Sequence, residues 1–357
     1  MNTQIGIYCP FSSLVNPYQY GIAHAFSMLR NYTSVETALI TSIKTNFSSR
    51  INSLLSTVTH KIDERDTDDG CYDEKNHDII YFNNVALINN DILKSVNTPT
   101  VVTVNFKPDA YIKDVFGKMC NRQKEADALA SKLDNVSLLH FYCQNSRERF
   151  LSYRGEFEDK SVVIPYFVPQ ISHVGGLKSN ANVRHILYIE GRGSQAGTIA
   201  LRKALEYFGG DYFKLHNIHL TAISKYKPSN NYINHVTYHT TANNNQLNDL
   251  MQQSSIVILG SDCSEDNSLL IQAMINKCAI IADNDEIRTS ILGGCGIQIP
   301  FSASYRLIES LSQLIENPVY SNQLAESAQS RANAYYHPQV VAQQYRKNFE
   351  QVIYALK

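Results

Sequence analysis

The chain contains no tryptophan, and neither sign of charge is in excess. Its 32 Lys and Arg residues nearly balance 33 Asp and Glu residues, so the formal net charge is -1. Domains that bind nucleic acid usually carry a basic excess, and we therefore expect no nucleic-acid partner. Because tryptophan is absent, aromatic stacking on any ligand would depend on the 22 Tyr or 14 Phe residues.

Long apolar runs are also missing. No stretch of about 18 apolar residues occurs, so we expect no membrane span. The first residues, MNTQIGIYCPFSSL, lack the basic start and apolar centre of a secretory signal. The 7 cysteines are scattered and form no C-x-x-C pair, which is typical of buried thiols in a reducing compartment. These features predict a cytoplasmic protein.

Several motifs of catalysis and metal binding do not occur. The sequence has no G-x-S-x-G elbow, no Walker A motif and no histidines at metal-ligand spacing. Asp66, Asp68 and Asp69 have a spacing that can hold a hard cation such as Mg²⁺. They lie in a polar segment, so a solvated acidic loop is the favoured interpretation. We therefore expect neither a metal nor a cofactor.

The sequence does contain a regular alternation of short apolar runs and helical patterns. At about 150 residues per domain, 357 residues predict two domains. Strands are expected at 5–9, 35–40, 78–82, 100–104, 136–141, 161–164, 184–189, 216–221, 234–238, 255–259, 278–282 and 296–299. Helices are expected at 21–30, 109–132, 146–153, 302–316, 318–336 and 339–356, among others. This alternation predicts an α/β protein with two Rossmann-like domains, each built on a parallel sheet.

A break in the alternation marks the domain boundary. Residues 165–183 contain two prolines and two glycines among polar residues, which is typical of a linker. We predict domains at 1–168 and 184–338, joined by a linker at 169–183 and followed by a helix at 339–357. Ligands of parallel sheets bind at the carboxyl ends of the strands, so the expected site is the cleft between the domains.

A glycine-rich turn follows the strand expected at 184–189. Gly191, Arg192 and Gly193 lie between that strand and a helix. Backbone N–H groups and the helix dipole favour a phosphate at such a turn, and Arg192 could bind it through two nitrogens. The spacing G-x-G-x-x-x-G differs from the dinucleotide fingerprint. A tight turn with a solvated arginine remains an equal alternative.

A second polar loop follows the strand expected at 255–259 and leads into an apolar helix. Ser264 and Asn267 are candidate N-caps of that helix. Glu265 and Asp266 could contact sugar hydroxyls, or they could only complement the helix dipole. Because carboxyl ends of parallel strands share one edge of a sheet, both loops are expected at the same edge.

The order of these segments resembles the family 4 retaining glycosyltransferases of the GT-B fold. Residues 186–192 (ILYIEGR) resemble the family's strand that ends in Gly-Arg. Residues 265–282 resemble its segment E-G-F-G-L-x-x-x-E-A-M-A-x-G-x-P-V-I-A, and residues 294–299 resemble its strand G-x-G-x-l-v. The N-terminal half fits more loosely, at 5–30, 78–82, 141–151 and 162–165. The resemblance covers nearly the whole chain.

The resemblance implies a hexosyltransferase that moves a sugar from a nucleotide-sugar to an acceptor hydroxyl with retention and without a metal. The first domain would lie on the acceptor side, the second would bind the donor, and the closing helix at 339–357 would pack back toward the first. The acceptor could be a glycan, a lipid-linked sugar or a protein, within glycan or polysaccharide biosynthesis. Peripheral contact with the inner face of the membrane and homo- or hetero-oligomers stay open.

The residues implied in donor binding are those that match or replace the family's motifs. They are Gly21, Gly191, Arg192, Gly193, Ser264, Asn267, Ser268, Leu269 and Gln272. Two further residues are implied in catalysis. Asn105 stands where many members have a histidine near the donor sugar, and Glu265 lies one residue from the first position of the family's glutamate pair.

Departures from the family pattern keep a second hypothesis open. Ser264 and Gln272 align with the usual glutamate pair, and Ala196-Gly197 replaces the usual Lys-Gly. A non-catalytic GT-B subunit that binds a glycan or a partner enzyme is therefore the alternative. A nucleotide-dependent oxidoreductase is disfavoured, because no G-x-G-x-x-G unit with a following acidic residue is present.

Overall fold

A computed structural model of the chain describes its structure in ten segments. They are residues 3–8, 35–40, 77–82, 93, 96–104, 131–166, 183–191, 195–225, 235–260 and 267–355. The chain divides into two compact units, one comprising Met1–Pro165 and Pro338–Lys357, the other Tyr166–His337. The predicted helix at 21–30 and the predicted linker at 169–183, apart from Val183, lie outside the described residues.

The first unit contains a parallel sheet of six strands in the order β2-β1-β3-β4-β5-β6. These strands are β1 (Thr3–Tyr8), β2 (Val35–Ile40), β3 (Ile79–Phe82), β4 (Thr100–Thr103), β5 (Leu138–Phe141) and β6 (Ser161–Val163). Helix α1 spans Gln144–Tyr153, and 3-10 helices span Ser131–Leu133 and Gly155–Lys160. Of the helix predicted at 109–132, only its last two residues are described, and they belong to the first 3-10 helix.

The second unit repeats this architecture in the order β12-β11-β10-β7-β8-β9, again with every pair parallel. Its strands are β7 (Arg184–Ile189), β8 (Ile218–Ile223), β9 (Val236–His239), β10 (Ile256–Leu259), β11 (Ala279–Asp283) and β12 (Ile297–Ile299). Its helices are α2 (Ala196–Leu215), α3 (Asn244–Gln253), α4 (Ser268–Ile275), α5 (Glu286–Leu292), α6 (Ser304–Glu316) and α7 (Pro318–Tyr335). The predicted α/β fold class with two parallel sheets is confirmed.

Strand β10 shows why both faces of the second sheet are covered. Its sequence, IVIL, is apolar throughout and all four residues are buried, which is typical of a parallel strand between two layers of helices. Ile256 and Ile258 pack in a cluster on one face, while Val257 and Leu259 pack in another on the opposite face. Because both faces are filled by side chains, a ligand of this unit has to bind at an edge of the sheet.

Three strands, β5, β8 and β9, begin two residues later than their sequences predict, and the start of β8 has a structural cause. Residues 216–221 were expected as a strand, but α2 continues to Leu215 and β8 begins at Ile218. Asn217 lies between them with a positive φ of 50°, a left-handed conformation that asparagine tolerates better than most residues. This residue ends the helical segment and turns the chain into β8.

A buried polar network connects three strands of the first unit with its last helix, α8 (Pro338–Ala355). His140 Nε2 lies 2.7 Å from the carbonyl oxygen of Ile164, so this nitrogen carries the proton. Nδ1 then accepts from Thr103 Oγ1 at 3.0 Å or from the Tyr81 hydroxyl at 3.1 Å. The Tyr345 hydroxyl of α8 lies 3.4 Å from Nε2. Burial lowers the pKa of His140 to about 4, so the imidazole is neutral near pH 7.

Within the described part of the chain, no helix combines the length and the hydropathy that a membrane crossing requires.

Candidate functional site

The carboxyl ends of the central strands of the second unit lie at the same level. The register pairs Leu259 with Ile189 and with Ala282, and it pairs Ile189 with Ile223. The chain therefore leaves β7, β8, β10 and β11 along one edge, which we call the second-sheet edge. Since α2 follows β7 and α4 follows β10, both helices begin from this edge.

The turns after β7 and β10 touch through their backbones. The N–H of Gly260 donates to the carbonyl oxygen of Ile189 at 2.8 Å. A Cβ atom on Gly260 would lie 2.7 Å from the backbone nitrogen of Gly191 and 3.2 Å from the Ile189 oxygen. Real Cβ atoms essentially never approach another heavy atom to 2.7 Å, so only glycine allows the two turns to meet without a shift of the backbone.

The first turn of α2 packs against Tyr188 of β7 and Gly260 after β10. A Cβ atom on Gly197 would lie 2.9 Å from the Tyr188 hydroxyl oxygen and 3.1 Å from the Cα atom of Gly260. The Tyr188 hydroxyl is also 3.0 Å from Thr198 Oγ1, and burial raises the pKa of this phenol well above its usual range. The start of α2 is thus packed directly against the ends of β7 and β10.

The carboxylate of Glu190, the residue directly after β7, also holds the start of α2 in place. Its Oε1 accepts from Thr198 Oγ1 at 3.0 Å, and its Oε2 accepts from Ser224 Oγ at 3.1 Å and from the N–H of Lys225 at 2.8 Å. The carboxylate therefore holds the end of β7 to the end of β8 and to α2. Sequence reasoning missed this role, although an acidic residue between a buried strand and a glycine turn is a visible signal.

Two of the helices that begin at this edge, α2 and α4, differ from α5, whose N-cap Asp285 accepts from the N–H of Arg288. The N-cap residues Gln195 of α2 and Asn267 of α4 make no side-chain capping hydrogen bond. Ala303 of α6 makes none either, so a missing cap alone does not mark a site. At the second-sheet edge, however, the start of α2 packs against the glycine turn after β10, and α4 begins from the same edge. The first N–H groups of a helix attract anions.

Gln272, the residue aligned with the family's second glutamate, lies on α4 and is buried. Its Nε2 donates to Asn248 Oδ1 on α3 at 3.3 Å. Asn276 Nδ2 donates to the same oxygen at 3.3 Å. Gln272 therefore contributes to a polar contact between α3 and α4, and its predicted hydrogen bond to a ribose stays a prediction.

Of the residues predicted to bind the donor, five are described. Gly191 follows β7 directly, and Asn267, Ser268, Leu269 and Gln272 form the start and middle of α4. The others, together with both predicted catalytic residues and the acidic loop at 66–70, lie outside the described residues. They are Gly21, Asn105, Arg192, Gly193, Ser264 and Glu265. The structure thus brings Gly191 and the start of α4 to one edge.

The β11 side of the edge carries a buried arginine. Arg288 of α5 is 6% exposed, and its Nη1 is buried with no hydrogen-bond partner. Its Nε lies 3.3 Å from Oδ2 of Asp285, while Oδ1 of the same carboxylate accepts from the Arg288 N–H at 2.8 Å. Sequence reasoning did not single out Arg288.

Among the described residues, no three His, Cys, Asp or Glu side chains are grouped so that they could hold a metal ion.

The chain matches no protein-family model, and no curated protein matches its sequence. Solved structures do match its fold over nearly its whole length. Sucrose-phosphate synthase from Thermosynechococcus elongatus matches with a TM-score of 0.65 and 11% identity, over 99% of this chain and 100% of that one. The Anabaena protein HepE, solved in complex with UDP-glucose, matches with a TM-score of 0.63 and 12% identity, over 98% of this chain and 99% of that one.

A third match comes from a protein named for a different reaction. The N-terminal domain of trehalose-6-phosphate phosphatase from Candida albicans matches with a TM-score of 0.64 and 10% identity, over 99% of this chain and 97% of that one. At these identities the similarity establishes the fold and not the activity. The architecture that these comparisons establish is GT-B, with two Rossmann-like units.

Proposed function

We propose that the protein is a glycosyltransferase that moves a sugar from a nucleotide-sugar to an acceptor hydroxyl. The observation that carries this proposal is the convergence of Gly191, Gly197 and Gly260 at the second-sheet edge. These three residues carry no side chains, and α2 and α4 begin at the same edge, so a diphosphate can approach the first N–H groups of the two helices closely. The similarity to HepE, which was solved with UDP-glucose, supports a nucleotide-sugar as the ligand.

The chemistry follows from where charge develops. As the bond between the sugar and the diphosphate breaks, negative charge grows on the leaving phosphate. The N–H groups at the starts of α2 and α4 stabilise that charge without reorganisation, and Arg192 adds a charge-assisted contact. Together these groups supply the counter-charge, so we propose transfer without a metal. Glu265 and Asn105 are the proposed contacts to the donor sugar, and Gln272 is the proposed contact to the ribose.

The finer assignments rest on the family resemblance. They are retention of configuration, an acceptor that is a glycan, a lipid-linked sugar or a protein, and a role in glycan or polysaccharide biosynthesis. We also propose that the protein acts in the cytoplasm, where nucleotide-sugars are made.

A non-catalytic GT-B subunit is the second candidate. Two observations favour it. Gln272 replaces the family's second glutamate, and its amide nitrogen is engaged by Asn248 inside the unit. The same fold also occurs in the N-terminal domain of a protein named as a phosphatase. Such a subunit would keep a nucleotide or glycan site but would not turn over.

Turnover by a Glu265→Gln variant tests the proposed function. If Glu265 helps to hold the donor sugar in the transition state, consumption of nucleotide-sugar should fall by more than about tenfold, or about 1.4 kcal/mol of stabilisation. Nucleotide affinity should stay within about twofold, because glutamine keeps the shape and most of the hydrogen bonding. Glu309→Gln is the matched control, since Glu309 is an exposed residue of α6 that pairs with Arg306.

The same assay separates the two candidates. Full activity of Glu265→Gln would show that Glu265 does not hold the donor. If the unmodified protein binds nucleotides but consumes no nucleotide-sugar with a glycan acceptor or partner enzyme supplied, the non-catalytic subunit is the correct account.

A further inference from the structure

Arg288 is a residue of α5, and Arg331 of α7 contacts the same helix. The two guanidinium groups differ in how many of their N–H donors are hydrogen-bonded. Arg331 of α7 donates from Nε to the carbonyl oxygen of Ile291 at 2.8 Å and from Nη2 to that of Ser290 at 2.9 Å. It thereby caps the carboxyl end of α5. Arg288 makes no comparable set of contacts. Its ion pair with Asp285 uses Nε, and its Nη1 is buried without a partner.

A buried guanidinium with an unused donor is unfavourable. Arginine offers five N–H donors and remains charged at every accessible pH. Leaving a buried donor unsatisfied costs free energy, and the cost is larger when the group is charged. The counter-charge that Arg288 contacts is Asp285, whose side chain is 41% exposed. Solvent screens this carboxylate, so it offsets only part of the cost of burying the guanidinium. The arrangement therefore calls for an additional acceptor, preferably an anionic one.

The position of Arg288 places that acceptor at the second-sheet edge. Side chains of a helix lean toward its amino end, and the contact with Asp285, the N-cap of α5, holds the guanidinium there. The N-cap lies two residues after Asp283, where β11 ends. Because Leu259 pairs with Ala282, Asp283 is level with Gly260 in the turn after β10. Arg288 is thus one strand away from the glycine turns.

We propose that Arg288 is the centre of an oxyanion-binding site that takes a phosphate or carboxylate group of the ligand bound at the second-sheet edge. The planar guanidinium matches two oxygens of such a group, and it supplies a positive charge that the backbone N–H groups cannot. The proposal rests on the proposed function in one respect, because the ligand is taken to be the nucleotide-sugar donor.

Binding titrations on three variants test the site. Inorganic pyrophosphate and UDP serve as probes for a phosphate, and the pair UDP-glucose and UDP-glucuronate, which differ by one carboxylate, serve as the probe for a carboxylate. Arg288→Gln should weaken at least one probe by tenfold or more. Asp285→Asn should tighten the same probe, because it removes the competing carboxylate while asparagine still caps α5. Arg306→Gln is the matched control, since Arg306 also pairs with an acid three residues away but is exposed.

Each outcome decides between the claims. If Arg288→Gln weakens pyrophosphate and UDP, the group is a phosphate, and if it weakens only UDP-glucuronate, the group is a carboxylate. If the variant binds every probe as the unmodified protein does, the oxyanion site is wrong while the proposed function stands. Pyrophosphate binding that depends on Arg288 without any nucleotide binding would keep the site and reject the proposed function.

Two remaining results are also decisive. If Arg288→Gln does not fold, the Asp285→Asn variant decides the test. An affinity for the probes that is unchanged or weaker in Asp285→Asn would show that the proposed oxyanion site is wrong. If the unmodified protein binds none of the probes, both the site and the proposed function are rejected.

Discussion

Single residues at the end of β7 decide what a ligand would meet there. Gly197 and Gly260 have no space for a methyl group, whereas Gly155 in the first unit has no heavy atom within 4 Å of the position of an added Cβ. Glycine is thus required by close contact at the first two positions and not at the third. The consequence is an edge of bare backbone, for which we propose Arg192 and Arg288 as the positive charges.

Arg192→Ala should weaken binding of a nucleoside diphosphate by about 1.5–3 kcal/mol, or roughly 10- to 150-fold, because a charge-assisted contact to phosphate is lost. Isothermal titration with the diphosphate measures this directly. Arg202→Ala on α2 is the matched control, because Arg202 is exposed and pairs with Glu206 across one helical turn. Equal affinity of the Arg192 variant and the unmodified protein would remove Arg192 from the site.

At the scale of elements, the sequence predicted what depends on local patterns. The four apolar residues of β10 were expected within 255–259 and form the strand Ile256–Leu259. The role of Glu190 was not predictable in this way. Its partners Thr198 and Ser224 are 8 and 34 residues distant along the chain, so only the folded sheet brings them together. The burial of Arg288 is likewise a tertiary property that its charged side chain conceals in the sequence.

Glu190→Gln should destabilise the second unit by about 1–3 kcal/mol, as measured by urea unfolding. Three donors converge on the two carboxylate oxygens, and an amide has one acceptor oxygen, so at least one donor is left without its partner. Glu326→Gln is the control, because Glu326 forms an exposed ion pair with Lys277, which contributes about 1 kcal/mol or less. Equal stability of the two variants would show that Glu190 does not hold the strands together.

At the scale of the whole molecule, one polar network depends on residues from distant parts of the chain. His140 and Tyr345 are 205 residues apart in sequence, yet both are buried in the first unit. Tyr81 packs against Tyr345 and Phe349 of α8, with ring centroids 6.4 Å and 6.2 Å apart. The network therefore makes the fold of this unit sensitive to the protonation of His140.

The free energy of unfolding should fall as the pH is lowered from 6.5 toward 4. Burial lowers the pKa of His140 from 6.5 to about 4. Between these values the unfolded chain binds a proton that the folded chain does not, so acid favours unfolding, by up to about 3 kcal/mol. In His140→Gln this pH dependence should become shallower by a corresponding amount. Equal slopes for His140→Gln and the unmodified protein would contradict a buried neutral imidazole.

Nucleotide binding by Gly260→Ala tests the central claim, that bare backbone at the second-sheet edge holds the diphosphate of the donor. An added Cβ would lie 2.7 Å from the backbone nitrogen of Gly191, so the turns after β7 and β10 must separate. We predict that titration calorimetry with a nucleoside diphosphate shows an affinity at least about tenfold lower in this variant, with circular dichroism confirming that it is folded. Gly155→Ala, whose added atom meets open space, should bind as the unmodified protein does. A folded Gly260→Ala variant with full nucleotide affinity would contradict the account.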